Sequence, residues 1–395
     1  MRLLLAFLSI LLHASVTAAQ VTYGDDGLEL RSPSGSFSAV VGWRNQIRFS
    51  TPFGSPPEEG SDVGRGDPSN RFRLNRSRLK IEGHAFSPRV TYKFQGDFVE
   101  ERIRDLNVNY EARDWLQVRA GWWKVEHLLE RLQSSGSQEL VDRSILDRWF
   151  TLGRQGGVQV HGRIGGRSAW GGHYYVGAFR NLDADPDDAA FLPVWTARYE
   201  WSHAGREMDG REQGDPRATR DLRLMVGTSA VRTEGAHAFY SGAGLGESLP
   251  VPGLPDTDLL PPGTSRFRTQ QYAGDVVLKW RGVSAQAEIH RKRIHERATD
   301  SRRTVVGGYV MGGVLASTIW SRAPKPLELT ARLALVDPAR ESDRELQQER
   351  VIGANWYLRA HRSKISVDVS RLRYDTPSGP RETDLRTRVQ WEFTF

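Results

Sequence analysis

Residues 90–98 read Val90-Thr91-Tyr92-Lys93-Phe94-Gln95-Gly96-Asp97-Phe98. Even positions are apolar or glycine, and the odd positions up to Asp97 are polar once Thr91 is reached. Successive side chains of a strand point to opposite faces, so this stretch is a strand with one greasy face and one polar face. The same alternation runs through Leu79–Ala85, where Lys80, Glu82 and His84 share the polar face. It returns in Leu106–Tyr110 with Asn107 and Asn109, and in Val158–Ile164 with Gln159, His161 and Arg163. Tyr272–Trp280, Leu327–Leu335 and Val389–Phe395 repeat it near the end of the chain.

Read this way, the pattern predicts about sixteen strands, an even number that a closed membrane barrel accommodates. The predicted spans are 37–50, 71–86, 90–100, 103–111, 116–123, 155–164, 168–181 and 192–202. They continue at 219–232, 270–281, 283–294, 304–317, 326–337, 346–358, 363–374 and 383–395. Short turns follow most even strands and long loops follow most odd ones, as in outer-membrane barrels. Two connections break the rule: the one near Glu100–Arg102 is short for an outer loop, and 203–218 is long for a turn. The expected fold class is therefore all-β, a transmembrane antiparallel β-barrel.

The chain has 395 residues, of which 38% are hydrophobic and 26% charged. Its apolar stretch Leu3–Leu12 is shorter than the ~20 residues a membrane helix needs. With no cysteine, disulfide frameworks, Cys-zinc sites, iron–sulfur clusters and thiol nucleophiles are excluded. The ten histidines make no metal spacing, and nothing in the chain asks for a cofactor. A net charge of +7 favours anionic partners. Arg2, the apolar Leu3–Leu12 and the small residues around Val16–Ala19 read as a secretory signal peptide. The expected organisation is a signal peptide over 1–19, a short periplasmic segment over 20–36 and a barrel over 37–395.

About fifteen cations and ten anions share the polar face of these strands, a load that a dry core holds only at large desolvation cost. A wet lumen carries it without that cost. Aromatics at strand ends, such as Trp122-Trp123, Trp280, Trp356-Tyr357 and Trp391, suit interfacial girdles. The chain ends in a strand whose last residue is Phe395. Gly307-Gly308 and Gly312-Gly313 fall within a strand, where they suit tight curvature or close subunit approach.

Several of these segments resemble the phosphate-selective porin O/P family. Arg76-Ser77-Arg78-Leu79-Lys80-Ile81-Glu82-Gly83 is similar to that family's basic second strand, and Tyr92–Phe98 to its third. Gly121-Trp122-Trp123-Lys124 resembles the fifth-strand exit into the constriction loop. Leu132–Ser135, Arg143-Ser144 and Gly153–Val158 resemble that loop and its return. Leu327–Asp337 and Gly353–Leu358 are similar to late strands. The resemblance implies a sixteen-stranded homotrimer whose third outer loop folds into the pore, in the outer membrane of a Gram-negative bacterium. It implies a preference for small anions, inorganic phosphate among them, with outer-membrane lipid as the surrounding partner and no role for nucleic acid. In two respects the chain departs from the family: Lys124 is followed by Val125-Glu126-His127, and the loop mixes Glu126, Glu130, Glu139 and Asp142 with its arginines.

The expected function is passive diffusion of small anions through a lumen lined by basic side chains. Arg44, Arg48, Arg76, Arg78, Lys80, Arg119 and Lys124 are the candidates on strands one, two and five, and Arg131, Arg143 and Arg148 those in the loop. Guanidinium forks pass an oxyanion between neighbours if each contact is weak enough to release it. The alternative for each cation is an ion pair with a facing carboxylate. A general anion porin and an outer-membrane lipid hydrolase are the rival functions. The hydrolase lacks a recognisable nucleophile motif, so no enzymatic activity is expected.

Overall fold

The computed structural model describes residues 20–24, 27–51, 71–165, 171–180, 193–203, 211–235, 267–297, 300–338, 346–374 and 382–395. The expected signal peptide over 1–19 lies outside these residues, as do most of the loops 51–70, 182–191 and 233–269. Two short strands, β1 (Gln20–Gly24) and β2 (Gly27–Arg31), form a hairpin. Among the described residues, sixteen longer strands follow. They are β3 (Phe37–Ser50), β4 (Arg71–Ala85), β5 (Ser87–Asp97), β6 (Arg102–Arg113), β7 (Leu116–Lys124), β8 (Arg154–Ile164), β9 (Gly172–Arg180) and β10 (Pro193–Ser202). The second half is β11 (Arg223–Gly235), β12 (Phe267–Trp280), β13 (Val283–Glu296), β14 (Ser301–Leu315), β15 (Leu327–Asp337), β16 (Gln347–Arg359), β17 (Ser363–Tyr374) and β18 (Glu382–Thr394).

Each long strand pairs antiparallel with the next, and β18 returns to β3 from Arg388↔Ser50 to Thr394↔Arg44. The sheet is thus a closed sixteen-stranded barrel with no free edge between β3 and β18. Below the end of β18, the hairpin continues the wall, because β2 pairs with the first residues of β3, from Leu28↔Val41 to Arg31↔Ser38. The segment 20–36, read from the sequence as a plain periplasmic stretch, therefore holds two strands.

The alternation in the sequence is an alternation between lipid and lumen. On β15 the buried residues are Glu328, Thr330, Arg332, Ala334 and Val336, while Leu329, Leu333 and Leu335 are exposed. Ile289 and Ile352 are 69% and 67% exposed on the same outer surface, whereas Arg48, Arg332 and Arg388 are fully buried inside. Burying charge and exposing aliphatics is the inverse of a water-soluble fold and fits a barrel surrounded by hydrocarbon.

Bulges add charge to the inner face. Between β5 and β6 the register slips from Gln95↔Asp105 to Gly96↔Ile103, so Arg104 and Asp105 are both buried. Between β3 and β4 it slips at Gln46/Ile47, which leaves Arg76 buried opposite Gln46. The short connection after β5 is a tight turn. Asp97 accepts the backbone N–H of Val99 at 3.2 Å and of Glu100 at 3.4 Å, and Phe98 stacks on Trp43 at 4.9 Å. A helical turn, α3 (Ala316–Ile319), follows β14 where the sequence showed none.

Leu333→Arg, near the middle of β15 on the lipid side, is expected to lower the unfolding free energy in lipid vesicles by ~2–4 kcal/mol. Urea titration followed by tryptophan fluorescence measures it. An unchanged midpoint would show that this face does not meet hydrocarbon.

Candidate functional site

The connection 125–153 between β7 and β8 folds into the barrel. It holds two helical turns, α1 (Leu129–Leu132) and α2 (Leu146–Phe150). Apolar side chains draw it in. Leu128, Leu140, Ile145, Leu146, Trp149 and Phe150 form one buried cluster with Phe267, Ile294, Val305, Tyr309, Met311, Ala334, Val336, Val351 and Leu372 from the wall. Each fully buried Leu or Phe contributes roughly 1.5–3 kcal/mol relative to exposure. Two glycines of the wall make room. A Cβ on Gly307 would stand 2.9 Å from the Phe150 ring, and one on Gly353 would stand 2.8 Å from Leu140. Gly307 therefore serves close approach of this loop, where the sequence suggested curvature or a subunit contact.

Polar groups complete the docking. Arg332 holds Glu130 at 3.1 Å and Glu349 at 3.0 Å, and Arg48 reaches Asp142 at 3.3 Å. Asp368 accepts the Val141 N–H at 3.0 Å while pairing with Arg388 at 2.8 Å. Glu288 accepts the N–H groups of Leu129 at 3.0 Å and Glu130 at 2.6 Å. Lys364 donates to the carbonyl of Gln138.

The long turn after β10 meets this loop from the opposite end. Gln213 donates its backbone N–H to Ser137 O at 2.8 Å and its amide to Gln133 Oε1 at 2.7 Å, and it accepts from Glu139 N at 2.9 Å. The described part of the connection that broke the turn rule in the sequence, from Arg211 on, reaches into the lumen. Loop and turn together fill the side of the barrel formed by β11–β17.

The remaining space is a cavity of about 960 Å³ between the loop and β3–β8. Ten Lys and Arg and five Asp and Glu border it, an excess of positive charge. Of the residues singled out from sequence, Arg44, Arg78, Lys80, Arg119 and Lys124 border it. Arg78 also pairs with Asp97 at 2.7 Å, Lys80 with Glu82 at 2.5 Å and Arg119 with Glu126 at 3.1 Å.

The other five candidates lie elsewhere. Arg48 is fully buried and binds Asp142, Val141 O and Gln390, so it anchors the loop and does not reach the cavity. Arg131 is paired with Asp147 at 2.9 Å. Arg148 sits half-buried on α2. Arg76 donates to Gln46 Oε1 at 2.8 Å, and Arg143 donates to the carbonyls of Glu130 at 3.0 Å and Gln133 at 3.1 Å. Lys93, which strand parity already places on the lumen face, also borders the cavity, as do Arg154, Arg211, Arg217 and Arg362, which were not among the site candidates.

Four of these cations have only neutral partners among the described residues. Arg44 donates to Ser134 and Ser135 at 2.9 Å each, and Lys124 to the carbonyls of Leu132 at 3.2 Å and Gln133 at 2.9 Å. Arg76 and Arg143 complete the set. Burial and the neighbouring Arg131 lower the Arg143 pKa to about 10. Asp147 is engaged by Arg131 and Asp97 by Arg78, while Glu392, which accepts from Gln46, lies with Arg44 against Gly136 of the loop and is the carboxylate nearest in influence to Arg44.

Residues 60–210 match the family described as phosphate-selective porin O and P. Over that span the chain is similar to this family. The matched span runs from before β4 through β10 and includes the inserted loop, so the resemblance drawn from the sequence is borne out. The match points to a channel rather than to a lipid hydrolase. The solved outer-membrane channel DcaP of Acinetobacter baumannii is similar over 92% of this chain and 99% of its own, at TM-score 0.58 and 13% identity. An anion-selective porin from Comamonas acidovorans is similar over 91% of this chain and 100% of its own, at TM-score 0.55 and 10% identity. OmpT of Vibrio cholerae is similar over 91% and 98%, at TM-score 0.52 and 9% identity. At these identities the likeness is one of fold. No curated protein sequence matches this chain.

The loop carries its own pH dependence. Burial, reinforced by the carboxylate of Glu328, raises the Glu139 pKa from 4.5 to about 8. The folded chain thus holds a proton there that the unfolded chain releases. Its contribution to stability is complete below pH 4.5 and is lost as pH rises towards 8. The thermal midpoint should fall across that window, and Glu139→Gln should flatten the fall. An equal slope in both proteins would place the loss in another group.

Proposed function

We propose that this porin carries small anions across the outer membrane by passive diffusion through the cavity between the inserted loop and β3–β8. The observation that carries the reading is the pair Arg44 and Lys124 at the cavity, whose charged heads bond only neutral partners among the described residues. A guanidinium or ammonium held by hydroxyls and carbonyls keeps its net charge for a passing ion. One held by a carboxylate does not. Arg44 holds Ser134 and Ser135 of the loop, and Lys124 the carbonyls of Leu132 and Gln133 just before them. Arg78, Lys80 and Arg119 border it too, each beside a carboxylate, and they supply weaker stations along the path.

Inorganic phosphate and related oxyanions are the cargo we assign to this path. The fork geometry of arginine suits them, and several weak stations let the ion leave. The organisation that goes with the reading is a signal peptide over 1–19, a periplasmic segment over 20–36 and a membrane barrel over 37–395, assembled as a homotrimer. Its partners are small anions and the surrounding outer-membrane lipid.

Single-channel recording in a planar bilayer tests the proposal. In a potassium chloride gradient the reversal potential should show anion preference. Arg44→Glu together with Lys124→Glu should reduce the anion-to-cation ratio by about fivefold per charge reversed, on the order of 1 kcal/mol each. Phosphate added to chloride should block the current saturably. Anion preference without block would make it a general anion porin. A cation preference in the natural protein would overturn the proposal.

A further inference from the structure

The cavity has a second wall whose chemistry a simple oxyanion does not use. On β5, Thr91, Lys93 and Gln95 face it in alternate positions, and Asn107 on β6 lies directly opposite Lys93. At ~3.4 Å per residue, Thr91 and Gln95 are about 14 Å apart along the strand. Neither Thr91, Gln95 nor Asn107 has a side-chain hydrogen-bond partner among the described residues, and all three open onto the cavity. They offer amide and hydroxyl donors, and equally amide and hydroxyl acceptors.

A simple carboxylate has acceptors only, and inorganic phosphate near neutral pH carries only the one or two hydroxyls on its own phosphorus. The amide oxygens of Gln95 and Asn107 give a simple carboxylate nothing and repel it slightly. A site selected only for such an ion would present donors alone. The mixed wall matches a ligand that carries one anionic group and several hydroxyls. Its charge rests on Arg44, Lys93 or Lys124, while its hydroxyls both donate to the amide oxygens and accept from the amide nitrogens. An analogue without hydroxyls leaves those polar groups to water and gains nothing from them.

We propose that the cavity favours hydroxylated organic anions, and that Thr91, Gln95 and Asn107 are the residues that read the hydroxyls. The inference rests on the cavity being the permeation path. It adds a substrate class to that reading: small polyhydroxylated carboxylates or phosphates.

The probes are glycerate and propionate, which share a three-carbon skeleton and a single carboxylate and differ in two hydroxyls. Reversal potentials with one anion on each side of the bilayer give their permeability ratio, which does not depend on how many channels insert. Glycerate should be preferred by about three- to tenfold, the net value of one hydrogen bond. Gln95→Leu with Asn107→Leu should bring the ratio close to one, and Thr91→Val alone should lower it part of the way. Glycerol phosphate set against methyl phosphate asks the same question with the other headgroup. Preference for the hydroxylated member in only one of the two pairs assigns the cargo to that headgroup and supports the inference. A ratio of one for both pairs in the natural protein, with anion preference intact, overturns it and leaves the diffusion reading standing. Absence of anion preference would overturn both.

Discussion

A backbone amide inside a lipid bilayer has no water to bond, so every strand that crosses must find a partner on both sides. That constraint closes β3 onto β18 and sets the rest of the molecule. Closure fixes two surfaces of opposite chemistry, aliphatic outside and charged inside. It also creates an interior too wide for wall side chains alone to fill. What happens in that interior decides whether the barrel is a channel.

Here the interior is divided. One half is filled by the loop 125–153 from one end and by the turn around Gln213 from the other. The filling is a true core, with Phe150 and Leu146 fully buried among side chains of β12–β17. Its charges are matched: Arg332 with Glu130 and Glu349, and Arg388 with Asp368. Removing one partner of such a buried pair typically costs about 3–5 kcal/mol. The other half stays open, with polar side chains on its walls and a surplus of cations. The same sequence of alternating residues thus makes a dry core on one side and a wet passage on the other, and the inserted loop is the partition between them.

The division explains why individual arginines have different roles despite facing the same way. Arg48 and Arg44 sit two positions apart twice over on β3, both pointing inward. Arg48 falls under the loop and is spent on Asp142, while Arg44 falls at the loop's edge and meets only serine hydroxyls. Position along the strand relative to the loop, not residue type, separates an anchor from a station on the path.

Much of this was legible in the chain. Strict period two over Val90–Asp97 and its repeats determined the strands, their faces and the barrel, because side-chain direction in a strand depends only on parity. The lengths of the connections also flagged 203–218 before its contacts were known. What the sequence could not specify was which inward cation meets a carboxylate. Arg131 finds Asp147 within its own loop, whereas Arg76 finds Gln46 thirty residues away, and the bulge at Gln46/Ile47 that brings them together leaves no local trace. Pairing inside the lumen depends on how far a loop penetrates and on register slips of single residues. Those are decided by packing between distant strands, so the tertiary structure alone set which charges remain for a passing anion.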